Sequence, residues 1–235
     1  GLMDFEPYSI ESACLDDVFT FQLSSEDELK DSVKKARAIK AKHRLTMRRA
    51  FSEKTLSEML PENISPGDSW HVLSGGDVDS LSFIAHIIER EPLDYLLFST
   101  WCMAGEDVAR FGKWIDEGKI GRLDAYVGEI FPSQYADAFE MLTAITRRAN
   151  GRVCVFRNHS KIYAGRNERF KFAIESSANI NTNPRAEQTA IHASEELFNF
   201  YKEYFDAIKS YSRDFDHWTP YEIRPRSETD RSQAD

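Results

Sequence analysis

A chain of 235 residues, 41% of them hydrophobic, can bury one sizeable core, and no apolar run in it approaches the roughly 18 residues that a membrane-crossing helix requires. Its net charge of −9 speaks against the uniformly basic surface of many nucleic-acid binders. Three cysteines, Cys14, Cys102 and Cys154, lie far apart without C-x-x-C or Cys/His spacing, which argues against a disulfide framework and a zinc site.

The start "GLMDFEPYSIES" is acidic where a secretory leader would be basic and then apolar, so a cytoplasmic protein without a membrane partner is expected. Residues 3–65 read as an N-terminal extension, largely helical. From Ser24, "SSEDELKDSVKKARAIKAKHRLTMRRA" opens with acidic residues and closes with cations, complementing a helix dipole over about 26 to 50. Its apolar face, Leu29, Val33, Ala36 and Ile39, is narrow and suits a helix lying across a body or a partner. "LPENISPGDS" then marks a linker at 60 to 69.

Residues 66–212 form the expected main domain, and there strands and helices alternate. Strand "WHVLS" precedes a helix with Leu81, Ile84, Ala85 and Ile88 on one face, followed by the buried-type strand "LDYLLFST". A helix near 105 to 117, strand "GRLDAYVGEI", helix "SQYADAFEMLTAITRRA" and strand "RVCVF" continue the order, the pattern of crossovers on a mostly parallel sheet. "SKIYAG" and "FKFAIES" are then joined by "GRNE", which suits a hairpin. A long amphipathic helix from about 186 to 211 is expected to close the domain, and residues 213–235 read as a polar tail. "SGGDVDS", between the first strand and helix, lacks the G-K-[ST] ending of a phosphate loop and reads as a turn with Asp77 or Asp79 capping the helix.

Cations cluster twice. Between Lys34 and Arg49 there are eight Lys/Arg and no acid, and between Arg147 and Arg169 seven Lys/Arg against Glu168 alone. The second cluster holds His159 and Lys161, two residues apart at the start of an extended segment, which would project them from one side. If "SKIYAG" and "FKFAIES" pair as a hairpin, the residues before the first and after the second share one end. His159, Lys161, Ser177, Asn179 and Glu187 then converge. An imidazole serves as nucleophile or proton carrier near neutral pH, a carboxylate can fix its tautomer, and lysine and asparagine donate to phosphate oxygens. Trp101 and Met103, after "LLFST", either line this cleft or simply pack.

"H-S-K" at 159–161, "S-S-A-N" at 176–179 and "N-P-R-A-E-Q" at 183–188 together resemble the active-site motif of the phospholipase D superfamily, with its H-x-K-x4-D, a G-S-x-N-like turn and a downstream glutamate. The resemblance covers roughly residues 69 to 211. It implies an α/β fold, a phospholipase D-like mixed sheet flanked by helices, one lobe per chain, here with an N-terminal helical extension. It also implies His159 as nucleophile forming a phosphohistidine, Lys161 and Asn179 holding phosphoryl oxygens, Glu187 orienting the imidazole and Ser177 supporting the phosphate or its loop. Arg157 and Arg166 are the cations expected to bind substrate nearby. No metal and no cofactor is implied. Two departures stand out: Arg166 occupies the place of the motif aspartate, and Ser176 that of a common glycine.

The superfamily's site uses two such motifs, whereas this chain carries one, so a homodimer sharing one site is expected. The function implied is a metal-independent phosphodiesterase acting on nucleic acid, a nuclease with DNA as its expected partner. A DNA-binding or assembly protein weakened or silenced in catalysis is the alternative, and a lipid phosphodiesterase the second.

Overall fold

The computed structural model describes residues 53–74, 78, 80–180, 186–211 and 218–222. The expected helix at 26 to 50, the basic stretch from Lys34 to Arg49, Cys14, most of the 74–80 turn and the polar end of the tail lie outside them. Seven strands form one open mixed sheet: β1 Ser69–Ser74, β2 Leu93–Thr100, β3 Ile120–Gly128, β4 Val153–Phe156, β5 Ile162–Arg166, β6 Lys171–Ser176 and β7 Glu187–His192, in the order β1-β7-β6-β5-β2-β3-β4. Among the described residues six helices accompany them: α1 over 53–59, α2 Ser80–Ile88, α3 Gly105–Asp116, α4 Phe131–Gln134, α5 Ala136–Arg148 and α6 Glu195–Asp206. None of these is long and apolar enough to cross a membrane.

β2, β3 and β4 run parallel, as the alternating sequence requires, while β5, β6 and β7 pair antiparallel with their neighbours, and β1 closes the sheet antiparallel to β7. Side-chain alternation splits the core in two. Leu96, Phe98, Leu123, Val127, Phe172 and Ile174 meet Ile84, Phe111, Trp114 and Leu142 of α2, α3 and α5 on one face. Tyr95, Leu97, Tyr126, Cys154, Ile162 and Ala164 meet Phe198 and Phe205 of α6 on the other. Cys102 and Cys154 are both buried, in keeping with small core residues.

The long closing helix expected from residue 186 is instead a strand and a shorter helix. Thr189 and Ile191 alternate with Gln188, Ala190 and His192, and β7 fills the gap between β6 and β1. α6 starts only after Ser194, whose hydroxyl accepts from the Leu197 amide at 3.2 Å and caps the helix.

Beneath α6 lies a buried carboxylate. Asp124 on β3 is wholly buried and takes four donors: Tyr95 Oη at 2.9 Å and Arg122 Nη2 at 3.4 Å on Oδ2, the Arg152 amide at 3.0 Å and Trp218 Nε1 at 3.1 Å on Oδ1. Burial pushes its pKa up, against the pull of Arg122 and the hydrogen-bond donors. The Arg152 guanidinium lies 3.6 Å from the centroid of the Trp218 ring and donates to the Phe205 carbonyl at 2.9 Å. Tyr221 stacks on Tyr95 at 4.5 Å and 8°. These two aromatic side chains pin 218–222 to the sheet, within a stretch whose composition suggests only a polar tail. Gly151 is required here, because a Cβ on it would lie 1.7 Å from the Leu123 carbonyl oxygen.

Removing the carboxylate would strand the buried Tyr95 hydroxyl and Arg152 amide. Asp124→Ala is therefore expected to lower the unfolding free energy by about 3 kcal/mol, as read by urea denaturation, and to release Trp218, as read by its fluorescence. A loss under about 1 kcal/mol would mean that the network contributes little.

Candidate functional site

The strand directions bring one end of the sheet together. β1, β2, β3, β4 and β6 finish there, and β5 and β7 begin there. Trp101 follows β2, Arg157 follows β4, His159 and Lys161 precede β5, Ser177 and Asn179 follow β6, and Glu187 opens β7. This is the rim on which open α/β sheets collect function.

Asn158 ties the rim together. Its buried side chain donates from Nδ2 to Ser99 Oγ at 2.9 Å, to the Thr100 carbonyl at 3.1 Å and to the Tyr126 carbonyl at 3.1 Å. Its Oδ1 accepts from the Ser160 amide at 2.9 Å and hydroxyl at 2.7 Å. The loop from β4 to β5 is thus stapled to the ends of β2 and β3 on both sides of His159. The segment after β6 is fixed to the same place: Thr100 Oγ1 accepts from the Ile180 amide at 3.2 Å, and Met103 pairs with Ile180. The sequence reading missed Asn158, Ser99, Ser160 and Thr100. The one signal available was an asparagine directly before the histidine, in a turn-like stretch.

His159 and Lys161 lie in irregular chain just before β5, not on the strand, and still meet. Lys161 Nζ is 2.9 Å from His159 Nδ1 and donates to the His159 carbonyl at 2.8 Å. Lys161 is buried and His159 exposed. Because an ammonium can only donate, Nδ1 accepts, and the neutral ring carries its proton on Nε2. Partial burial, and then the adjacent Lys161 charge, hold the imidazole pKa below its ordinary 6.5. The Trp101 ring stands 5.4 Å from that of His159, tilted by 47°. Trp101 is partly exposed, whereas Met103 is buried in the core and packs.

Ser177 Oγ donates to Glu187 Oε2 and accepts from the Gln188 amide at 3.0 Å. This bond closes the β6–β7 side of the rim and turns Glu187 toward Ser177. Two strand spacings, about 10 Å, separate β7 from β5. Asn179 finds no donor for its Oδ1 among the described residues. Arg157 is exposed beside Asn158. Arg166 is the residue that the structure does not bring in: it ends β5 five residues beyond Lys161, about 16 Å along the strand, and pairs with Asp94 at 3.7 Å. A motif spacing counts residues along the chain, but an extended strand carries them apart in space.

The other cations of that block also turn away. Arg148 pairs with Asp116 at 2.8 Å, Arg169 with Glu91 at 2.6 Å, and Arg152 is buried. Arg147 and Arg148 end α5, ahead of the opposite end of β4. Of the seven, only Arg157 and Lys161 stand on the rim.

No protein-family model matches the chain, and no curated protein does. Among solved structures, a polyphosphate kinase from Porphyromonas gingivalis aligns at 10% identity and a TM-score of 0.45 over 59% of this chain and 25% of its own. TrmBL2, an archaeal chromatin protein with a novel mode of DNA binding, aligns at 9% identity and a TM-score of 0.41 over 76% of this chain and 64% of its own. The chain thus spans a quarter of the first and under two thirds of the second.

The lowered pKa sets a pH dependence with a definite sign. Unfolded, His159 binds its proton near 6.5, and folded only at lower pH, so its contribution to stability is present above pH 6.5 and is lost as pH falls through the folded value. An NMR titration should place the His159 midpoint below 6.5, and Lys161→Met should raise it by removing the neighbouring charge. A midpoint unmoved by Lys161→Met would show that the two side chains are not coupled in solution.

Proposed function

We propose that this protein is a metal-independent phosphodiesterase acting on nucleic acid, with DNA the expected polymer and a nuclease reaction the expected outcome. The observation that carries the reading is the His159–Lys161 pair: an exposed imidazole, kept neutral to lower pH, directly against an ammonium at the rim where the strand ends converge. Such a pair offers a nucleophile and a cation for one phosphoryl group without a metal.

The reaction begins when a phosphoryl oxygen takes Lys161 away from Nδ1, freeing the ring to carry its proton there and to present the Nε2 electron pair. Nε2 attacks phosphorus, the P–N bond forms, and the P–O bond to the leaving strand breaks. The leaving oxygen takes a proton from a second imidazole, in this reading His159 of the partner subunit across a two-fold axis, which takes up that proton from solvent as imidazolium once the bound phosphate has drawn its own lysine away. Water then gives that imidazole a proton while its oxygen attacks phosphorus, and the P–N bond breaks to restore His159. In this reading Asn179 would donate from its Nδ2 to a phosphoryl oxygen, and Arg157, exposed at the rim, would meet the phosphate there.

A second reading has its own observation. Glu187 is bonded to Ser177 and not to the imidazole, and the motif aspartate is replaced by Arg166 at the far end of β5. Among the described residues no carboxylate is bonded to His159, which suits a nucleic-acid-binding or assembly protein in which hydrolysis is slow or lost.

Single- and double-stranded DNA incubated with the protein in EDTA separates the two. Cleavage that falls about 10³-fold or more in His159→Ala, with binding retained, supports the enzyme, and tight binding with no cleavage favours the second reading. Light scattering should find a dimer, and a strictly monomeric species that cleaves would contradict the shared site.

A further inference from the structure

We infer that Trp101 is a base-stacking platform and that the substrate of this site is single-stranded nucleic acid. The inference rests on the phosphodiesterase reading above and names the form of polymer it acts on. Of the three residues that leave β2, Cys102 and Met103 turn into the core, and only Trp101 stays partly exposed on the rim. Its backbone carbonyl accepts from the Gly128 amide at 3.3 Å, and its indole rests on the Gly128 backbone. A Cβ at Gly128 would stand 2.5 Å from the indole Cδ1 and 2.8 Å from the Trp101 carbonyl oxygen, so glycine is what lets the ring lie there. The indole is held against the end of β3, with its centroid 5.4 Å from that of the imidazole.

Charge on the rim favours the same reading. Duplex recognition through the backbone relies on many phosphate contacts, and of the seven cations between Arg147 and Arg169 only Arg157 and Lys161 stand at this end. An aromatic face beside the nucleophile adds affinity through stacking, which tolerates any base. Bases inside a duplex already stack on each other and are closed to an indole, whereas an unpaired base can lie on Trp101 while its phosphate reaches Lys161 and His159. Trp101 is in this account a positioning residue, setting which polymer is presented and taking no part in bond making.

The test is fluorescence anisotropy in EDTA with three phosphorothioate-linked probes of equal length: a single-stranded oligothymidylate, an abasic strand with the same backbone, and a duplex. Wild type should bind the oligothymidylate about tenfold or more tighter than the abasic strand, and tighter than the duplex. Trp101→Ala should erase that preference and leave abasic affinity unchanged, while Trp101→Phe should keep most of it. If Trp101→Ala weakens the abasic and base-bearing strands alike, or if duplex is bound as tightly as single strand, the stacking role is wrong while the nucleic-acid reading stands. If none of the three probes binds, both fall together.

Discussion

One carboxamide constrains the functional rim more than any other group. Asn158 has no freedom: its Nδ2 is shared among Ser99, Thr100 and Tyr126, on two different strands, and its Oδ1 holds both polar groups of Ser160. His159 sits between those two anchors, so its backbone is fixed although its side chain is exposed. Without the staple, the loop between two separately packed strands would keep the Ser160–Ser99 contact to the end of the sheet but lose its hold on Thr100 and Tyr126, and the imidazole would sample more positions. Preorganisation of this kind is what a nucleophile requires, because misplacement by about 1 Å lowers a rate by orders of magnitude.

The same end of the sheet shows how charge is apportioned. Among the described residues of this chain of net charge −9, cations lie largely in ion pairs and buried stacks, among them Arg148 with Asp116, Arg169 with Glu91, Arg166 with Asp94 and Arg152 under Trp218. Lys161 sets its ammonium against an imidazole and a carbonyl. Partial burial, and then that ammonium, hold the imidazole pKa below its ordinary value. Asp124 lies on the other side of the ledger: a buried carboxylate whose four donors tie β2, β3, the start of β4 and the 218–222 segment into one body.

Much of this was legible in the chain. Period-two and period-3.6 patterns reveal six of the strands and the helices between them, and the hairpin of β5 and β6 alone is enough to gather His159, Lys161, Ser177 and Asn179 at one end. β7 was not legible, since "EQTAIH" carries too few apolar residues to stand out from the amphipathic helix that follows, and its partner β1 lies over a hundred residues away. Asn158 was hidden for a related reason: its partners at 99, 100 and 126 share no local period with it. Arg166 shows the converse error, where spacing along the chain was taken for proximity in space. The basic block from Arg147 to Arg169 likewise looks like a surface only while it is read linearly.

The central claim is that His159 becomes covalently bound to phosphorus. Rapid quenching of the protein with a DNA substrate under alkaline conditions, followed by proteolysis and mass spectrometry, tests it directly. The account predicts a base-stable, acid-labile phosphoryl adduct on the peptide carrying His159, absent from His159→Ala and diminished in Lys161→Met. Turnover of the substrate with no adduct on that peptide at any quench time, or an adduct on another side chain, would contradict it.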